Sequence, residues 1–258
     1  MFFQSRVFLY SLIFFGVLEF FSANSVGNGL SFLSVSGLWL TVIIFLALLI
    51  YFYQIAKKVS RRVSMTPMPI VFVASTIGLL YFVQSERQAS LLVLLATIAY
   101  YFIHLALYRL RSCQLDKTAY GILGAGSLAT VFLFYATSYG IYLNFAIPLW
   151  VLMSVLMIVT TLISFQYFWL INENKQNVLN YSLVLGLVMA EIVWATNFWP
   201  FGYLTTGVIN LIFYYVFWDL VRSHFHGELS KKRVIANMVI FGILVAMVLS
   251  STRWLPVV

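Results

Sequence analysis

Charge is what this sequence has least of. Of its 258 residues 9% are Asp, Glu, Lys or Arg, against about 25% in an ordinary soluble domain. Acids are the scarcer sign, 7 against 15 basic residues. A lone cysteine, Cys113, excludes an intrachain disulfide and with it a small disulfide-stapled scaffold. The five prolines fall at the edges of apolar runs rather than inside them. Reaction motifs are missing too: there is no Gly-rich phosphate loop, no His-Glu-x-x-His, no Gly-x-Ser-x-Gly and no paired Cys. His224 and His226 are the one close His pair, with no third ligand nearby beyond Cys113 or Asp219, so neither a metal nor a cofactor is expected. The net charge of +8 does not signal nucleic acid, because no basic segment is long enough to form a recognition helix or a groove.

What is there is apolar surface: 63% hydrophobic residues, 18% aromatics and a mean hydropathy of +0.99. A water-soluble fold of this length could not hide so much of it, since much of any folded surface stays accessible. Strands of an outer-membrane barrel would alternate apolar and polar residues, and these runs do not. Crossing about 30 Å of hydrocarbon takes roughly 20 apolar residues in a helix. Nine such runs are present, at 7–23, 37–56, 67–84, 89–109, 118–139, 146–170, 178–199, 202–221 and 234–252. The expected fold is therefore all-α, a polytopic helical membrane protein with about nine transmembrane helices, forming one integral bundle over 1–258 without a soluble domain. The first run also resembles a signal peptide, with Arg6 before it and Ala23-Asn24-Ser25 after it. Its single Arg and its Glu19 argue against that reading, and cleavage would leave eight spans.

Loop charge sets the orientation. With the N-terminus cytoplasmic, the inner segments hold Arg6; Lys57, Lys58, Arg61 and Arg62; Arg109, Arg111 and Lys117; Lys175; and Arg222, Lys231, Lys232 and Arg233. Only Arg87 and Arg253 are left outside. Cytoplasmic loops carry the excess of Lys and Arg, so the N-terminus is expected inside and the C-terminus outside, in a cell (plasma) membrane.

Ionisable groups within spans are functional hypotheses, since a charge in hydrocarbon costs at least about 2.5 kcal/mol. Glu191 lies about 4 Å from the middle of the run 178–199 at 1.5 Å per residue, and no Lys or Arg lies in the membrane core to pair with it. Such a carboxyl must be protonated, hydrogen-bonded inside the bundle, or in contact with water or an ion. Trp194 and Phe198 share its helix face. In the fourth run Thr97, Tyr101, His104 and Tyr108 recur at helical spacing, with Tyr100 alongside and Arg111 beyond, a stripe expected to face protein or a cavity. Asn210, Tyr214 and Trp218 make a second stripe in the eighth run. Asp219 stands three residues before Arg222, the spacing of a surface ion pair. Gly121, Ala125 and Ala129 have the small-xxx-small spacing of a helix contact.

These features support three functions. One is a carrier or membrane-embedded ligand-binding protein, with Glu191, Trp194, Tyr101, His104, Tyr108 and Asp219 around a polar cavity. Another is a structural or accessory subunit whose polar groups join helices. The third is an intramembrane enzyme acting on a lipid or lipid-linked substrate, for which Asp219, His104, Tyr108 and Arg111 would have to converge. Expected partners are membrane lipids and other membrane subunits. The topology makes a direct prediction: cysteines introduced beside Lys58 and beside Arg87 should react with a membrane-impermeant reagent from opposite sides, and labelling from one side would refute it.

Overall fold

The computed structural model describes residues 2–27, 35–113 and 116–251, with side chains left out at 2–4, 24–27 and 35–41. Arg253 lies outside the described residues. Nine helices follow in order: α1 (Phe2–Gly27), α2 (Val35–Ser60), α3 (Pro67–Leu80), α4 (Glu86–Ser112), α5 (Lys117–Asn144), α6 (Leu149–Ile171), α7 (Lys175–Thr196), α8 (Tyr203–Phe225) and α9 (Lys231–Ser251). All nine are long and apolar enough to cross a membrane, α3 with the 3-10 turn Val63–Met65 ahead of it. Among the described residues there is no strand.

The helix ends are written in local chemistry. Asp116 Oδ1 accepts from the backbone N–H groups of Thr118 (3.0 Å) and Ala119 (3.2 Å), which caps α5. Asn174 Oδ1 accepts from the N–H of Asn177 at 3.3 Å and starts α7. Trp199-Pro200 closes the turn after α7, which stops at Thr196 rather than running to Trp199, because the residue before a proline is pushed out of helical geometry. Gly227, with φ +68°, ends α8 in a left-handed turn. Its N–H reaches His224 O, and that of Glu228 reaches Ser223 O, both at 3.0 Å. Several helices begin before the apolar run and end after it. Carrying α4 out to Glu86 and Ser112 keeps backbone groups bonded within the helix as the chain leaves the hydrocarbon.

Contacts gather the chain into two compact units, Met1–Gly126 and Ser127–Val258. In the first, α4 packs on α1, α2 and α3. Its centre is an aromatic cluster: Tyr100 stacks on Phe14 (centroids 4.4 Å apart) and meets Phe52 edge-on at 5.9 Å, and Phe14 also touches Phe72. Gly126 lets α5 come close here, since a Cβ on it would lie 2.8 Å from both Ile103 Cγ1 and Met68 Cε. In the second unit α6 and α7 share the most extensive contact, and α8 joins α7 to α9.

The α6–α7 contact rests on Ser182, Gly186 and Ala190, all buried and spaced four apart on α7. A Cβ on Gly186 would fall against Thr161 Oγ1 and within 2.9 Å of the Met157 carbonyl oxygen. This is the small-xxx-small face that holds helices together. The one expected at Gly121, Ala125 and Ala129 is not: Gly121 and Ala125 are exposed, and a Cβ on Gly121 would meet nothing. Small residues permit close approach without selecting the partner, so spacing alone picked the wrong helix. Gly186→Val should accordingly destabilise the protein by about 1–3 kcal/mol, because its methyls meet backbone, whereas Gly121→Ala should not destabilise it. Denaturant titration in detergent micelles measures both, and equal effects would refute the assignment.

Candidate functional site

Large apolar side chains cover the outside of the helices, and small polar residues are buried among an apolar core. Phe8, Ile43, Leu91, Ile158, Val184, Leu187 and Ile243 face outward at half or more of their full exposure. Ser75, Thr76, Ser127, Thr130, Thr160, Ser164, Ser182 and Asn210 are buried. Where lipid is the solvent, hydrocarbon side chains gain nothing by going inside, and small and hydrogen-bonding groups hold the helices together. Many hydroxyls are satisfied within their own helix, as Thr76 Oγ1 is by donating to Phe72 O at 2.7 Å.

In the second unit a set of polar groups bonds across helix pairs at successive levels, while Thr161 Oγ1, Ser182 Oγ, Trp218 Nε1 and Ser223 Oγ are buried without a hydrogen-bond partner among the described residues. At the α7 C-terminal end, the Tyr139 hydroxyl of α5 donates to Val193 O (3.3 Å) and lies 3.1 Å from Thr196 Oγ1 of α7. Asn210 Nδ2 of α8 donates to Thr196 Oγ1 at 3.3 Å and to Thr206 O at 2.9 Å, and lies 3.5 Å from the Tyr139 hydroxyl. Tyr135 meets Thr160 Oγ1 at 2.9 Å, joining α5 to α6, and Ser164 meets Tyr214 at 3.1 Å, joining α6 to α8. Gly207 brings α8 close to Ala136 between these bonds. At the other end the Tyr181 hydroxyl lies 2.9 Å from His224 Nε2.

Asp219 belongs to this set. Its ion pair was expected with Arg222, but the carboxylate turns to α9 instead. Asn237 Nδ2 donates to Asp219 Oδ2 at 2.8 Å, and Arg233 Nε stands 3.9 Å from the same oxygen. Arg222 lies over the Trp218 ring, 5.4 Å from its centroid. The cause is burial: Asp219 is 8% exposed, and α9 brings donors to it that a solvated Arg on its own helix does not. Arg233 also pairs with Glu228, and this hydrogen bond and charge hold the Glu228 carboxyl below the usual carboxylate range. Asn237 is the one residue of α9 that is buried. A solitary Asn in an apolar run was a legible sign, and reading for acids passed over it.

In the first unit the α4 stripe lies one residue away from where spacing placed its centre. The buried line runs through Val93, Ala96, Tyr100, Ile103, His104 and Leu107. His104 is fully buried, while Tyr101 and Tyr108 are half-buried at its margin. Tyr101 touches Phe8 edge-on at 6.5 Å. His104 Nδ1 lies 3.0 Å from Tyr100 O, and its ring centre is 4.0 Å from that of Tyr100. His104 Nε2 and the Tyr100 hydroxyl, both buried, have no hydrogen-bond partner among the described residues.

Glu191 and Trp194 face outward. Both lie on the exposed side of α7, Trp194 at 53% exposure and in edge-to-face contact with Phe198 at 5.4 Å. No hydrogen bond or ion pair reaches Glu191 among the described residues. The rotation of α7 follows the Ser182, Gly186, Ala190 stripe, and Glu191, one residue beyond Ala190, is turned away from it. Glu191 and Asp219 are not neighbours: Asn210 opposite Thr196 and His224 opposite Tyr181 set the register, which puts them about 7 Å apart in depth. The two best-formed depressions are shallow and apolar. One is lined by Leu229, Ser230, Lys231, Val234 and Ile235, the other by residues of α7 and α8 from Tyr181 to Val188 and Phe217 to Val221.

Among the described residues, nine helices long and apolar enough to span, with apolar side chains outward, define a helical integral membrane protein. Residues 69–251, from α3 through α9, match the family described as DUF5656, proteins of unknown function, and the chain belongs to that family. No curated protein and no solved structure matches it.

Two outcomes follow from these joints. Asn237→Leu leaves the buried Asp219 carboxylate without its amide donor, and should lower stability by about 1–3 kcal/mol, with increased amide exchange along α9. Glu228→Gln removes an exposed pair and should leave the unfolding midpoint unchanged while speeding exchange in the turn 227–230. Because the Glu228 carboxyl is held low, its tie to Arg233 persists above the ordinary carboxylate range and is lost as pH falls through and below it. Exchange in that turn should therefore rise in wild type at acid pH, after correction for intrinsic rates, and not in the Gln variant.

Proposed function

We propose that this protein is a structural or accessory subunit of a membrane complex, inserted in a cell membrane with its N-terminus cytoplasmic and its C-terminus outside. One observation carries the reading: Glu191 stands on the outer face of α7 without a partner among the described residues, in an otherwise apolar surface. A carboxyl left against lipid chains loses several kcal/mol of solvation, whereas a neighbouring chain can supply hydrogen bonds there. Tyr135, Tyr214, Asn210 and Asp219 of the second unit are engaged in joining helices, which is what a scaffold requires of them. The orientation rests on the distribution of Lys and Arg.

A carrier would use Glu191 from within, and its outward direction supplies no support for that role. An enzyme would need Asp219 accessible to substrate, and Asn237 and Arg233 occupy it. The expectation is that the protein, extracted with surrounding lipid in polymer discs, travels in an assembly heavier than its own 29.5 kDa. Particles holding one copy and no other protein would overturn the reading.

A further inference from the structure

We propose that the outer face of α7 seats α7 of a second copy of this chain, with Glu191 of each copy meeting that of the other. The inference rests on the subunit reading and names the occupant of the same face.

The face is a straight stripe: Val184, Leu187, Glu191 and Trp194, at alternating spacings of three and four, all exposed, with exposed Phe198 in the turn just past the helix end. This spacing keeps one line of side chains toward a partner helix crossing at about 20°. Apolar groups lie on both sides of Glu191, so a helix laid along the stripe encloses the carboxyl completely. Two further acids on spans are exposed among the described residues, but Glu86 is the first residue of α4 and Glu19 stands only three residues before the polar end Ser22-Ala23-Asn24. Glu191 is followed by Ile192-Val193-Trp194-Ala195, and the apolar stretch continues past Asn197 through Phe198-Trp199. It has no comparably short route to water.

The depth of Glu191 selects the occupant. Two copies of one chain share one topology, so a two-fold axis along the membrane normal sets their α7 helices parallel and identical residues level. Glu191 then faces Glu191 by symmetry, whereas an unrelated helix must happen to carry a polar group at that height. Carboxyls are self-complementary: a protonated one both donates and accepts, so a pair can satisfy each other with no cation present. No Lys or Arg of this chain stands at that level in a span. A two-fold contact through the apolar outer face of α9 would leave both carboxyls against lipid.

The test uses the full chain in native-like membranes, with Cys113→Ser as background. Single cysteines at Leu187 and Ala195, flanking Glu191, should give an oxidatively linked dimer. Cysteines at Ile158 of α6 and Ile243 of α9, equally exposed, should not. Glu191→Gln should retain the dimer, since an amide pair also donates and accepts. Glu191→Leu should reduce it about tenfold, the scale of a hydrogen bond between membrane helices, and Glu19→Leu should leave it unchanged. Glu191→Lys should abolish self-linking, yet link efficiently to a differently tagged wild-type chain. Glu191 is exposed and without a partner among the described residues, so these variants should leave the fold intact, which the unfolding midpoint checks. Linking through Ile158 or Ile243 instead, or full dimer with Glu191→Leu, would overturn the proposal. A heavy assembly holding one copy and a different chain against α7 would overturn it while leaving the subunit reading standing. A lone monomer would sink both.

Discussion

Hydrocarbon offers no hydrogen bonds, and nearly every feature of this protein answers that constraint. Each backbone N–H and C=O in the membrane needs a partner from the chain itself, which a helix supplies without help from its neighbours. The same constraint governs side chains. Ser75 and Thr76 give their protons to carbonyls one turn back in α3, so the most buried helix carries hydroxyls without needing water. Other polar groups become joints between helices. Asn210 holds α8 to α7, and Asn237 holds α9 to α8.

Apolar burial does little to choose among arrangements in this setting, because Leu against lipid is about as stable as Leu against Leu. Close approach and polar pairing decide instead. Gly186 admits the Thr161 side chain and the Met157 carbonyl to the surface of α7, and Gly207 admits Ala136 to that of α8. These contacts fix helix rotation, and rotation fixes which residues look outward. Glu191 owes its outward direction to the three small residues on the opposite side of its helix. α9, with one buried residue, is held chiefly by its amide on Asp219 and by the contact of Phe241 with Phe213 at 4.8 Å.

The membrane class, the nine spans and their order were legible in the amino-acid sequence, because a run of about 20 apolar residues has one stable conformation in lipid whatever surrounds it. Helix ends were legible to within a few residues, where Asp116, Asn174, Pro200 and Gly227 act on the backbone next to them. The special position of Glu191 was legible from composition alone, as an acid in an apolar run. What tertiary structure decided was direction. Tyr100 rather than Tyr101 sits at the centre of α4, Asp219 turns to α9 rather than to Arg222, the packing stripe is Ser182, Gly186 and Ala190 rather than Gly121, Ala125 and Ala129, and Glu191 faces out. A helix in lipid can rotate about its axis at almost no cost in hydrophobic energy, so its facing is set by which neighbour fits its small residues and which donor reaches its acids. Those are properties of pairs of helices distant in sequence, and no single run contains them.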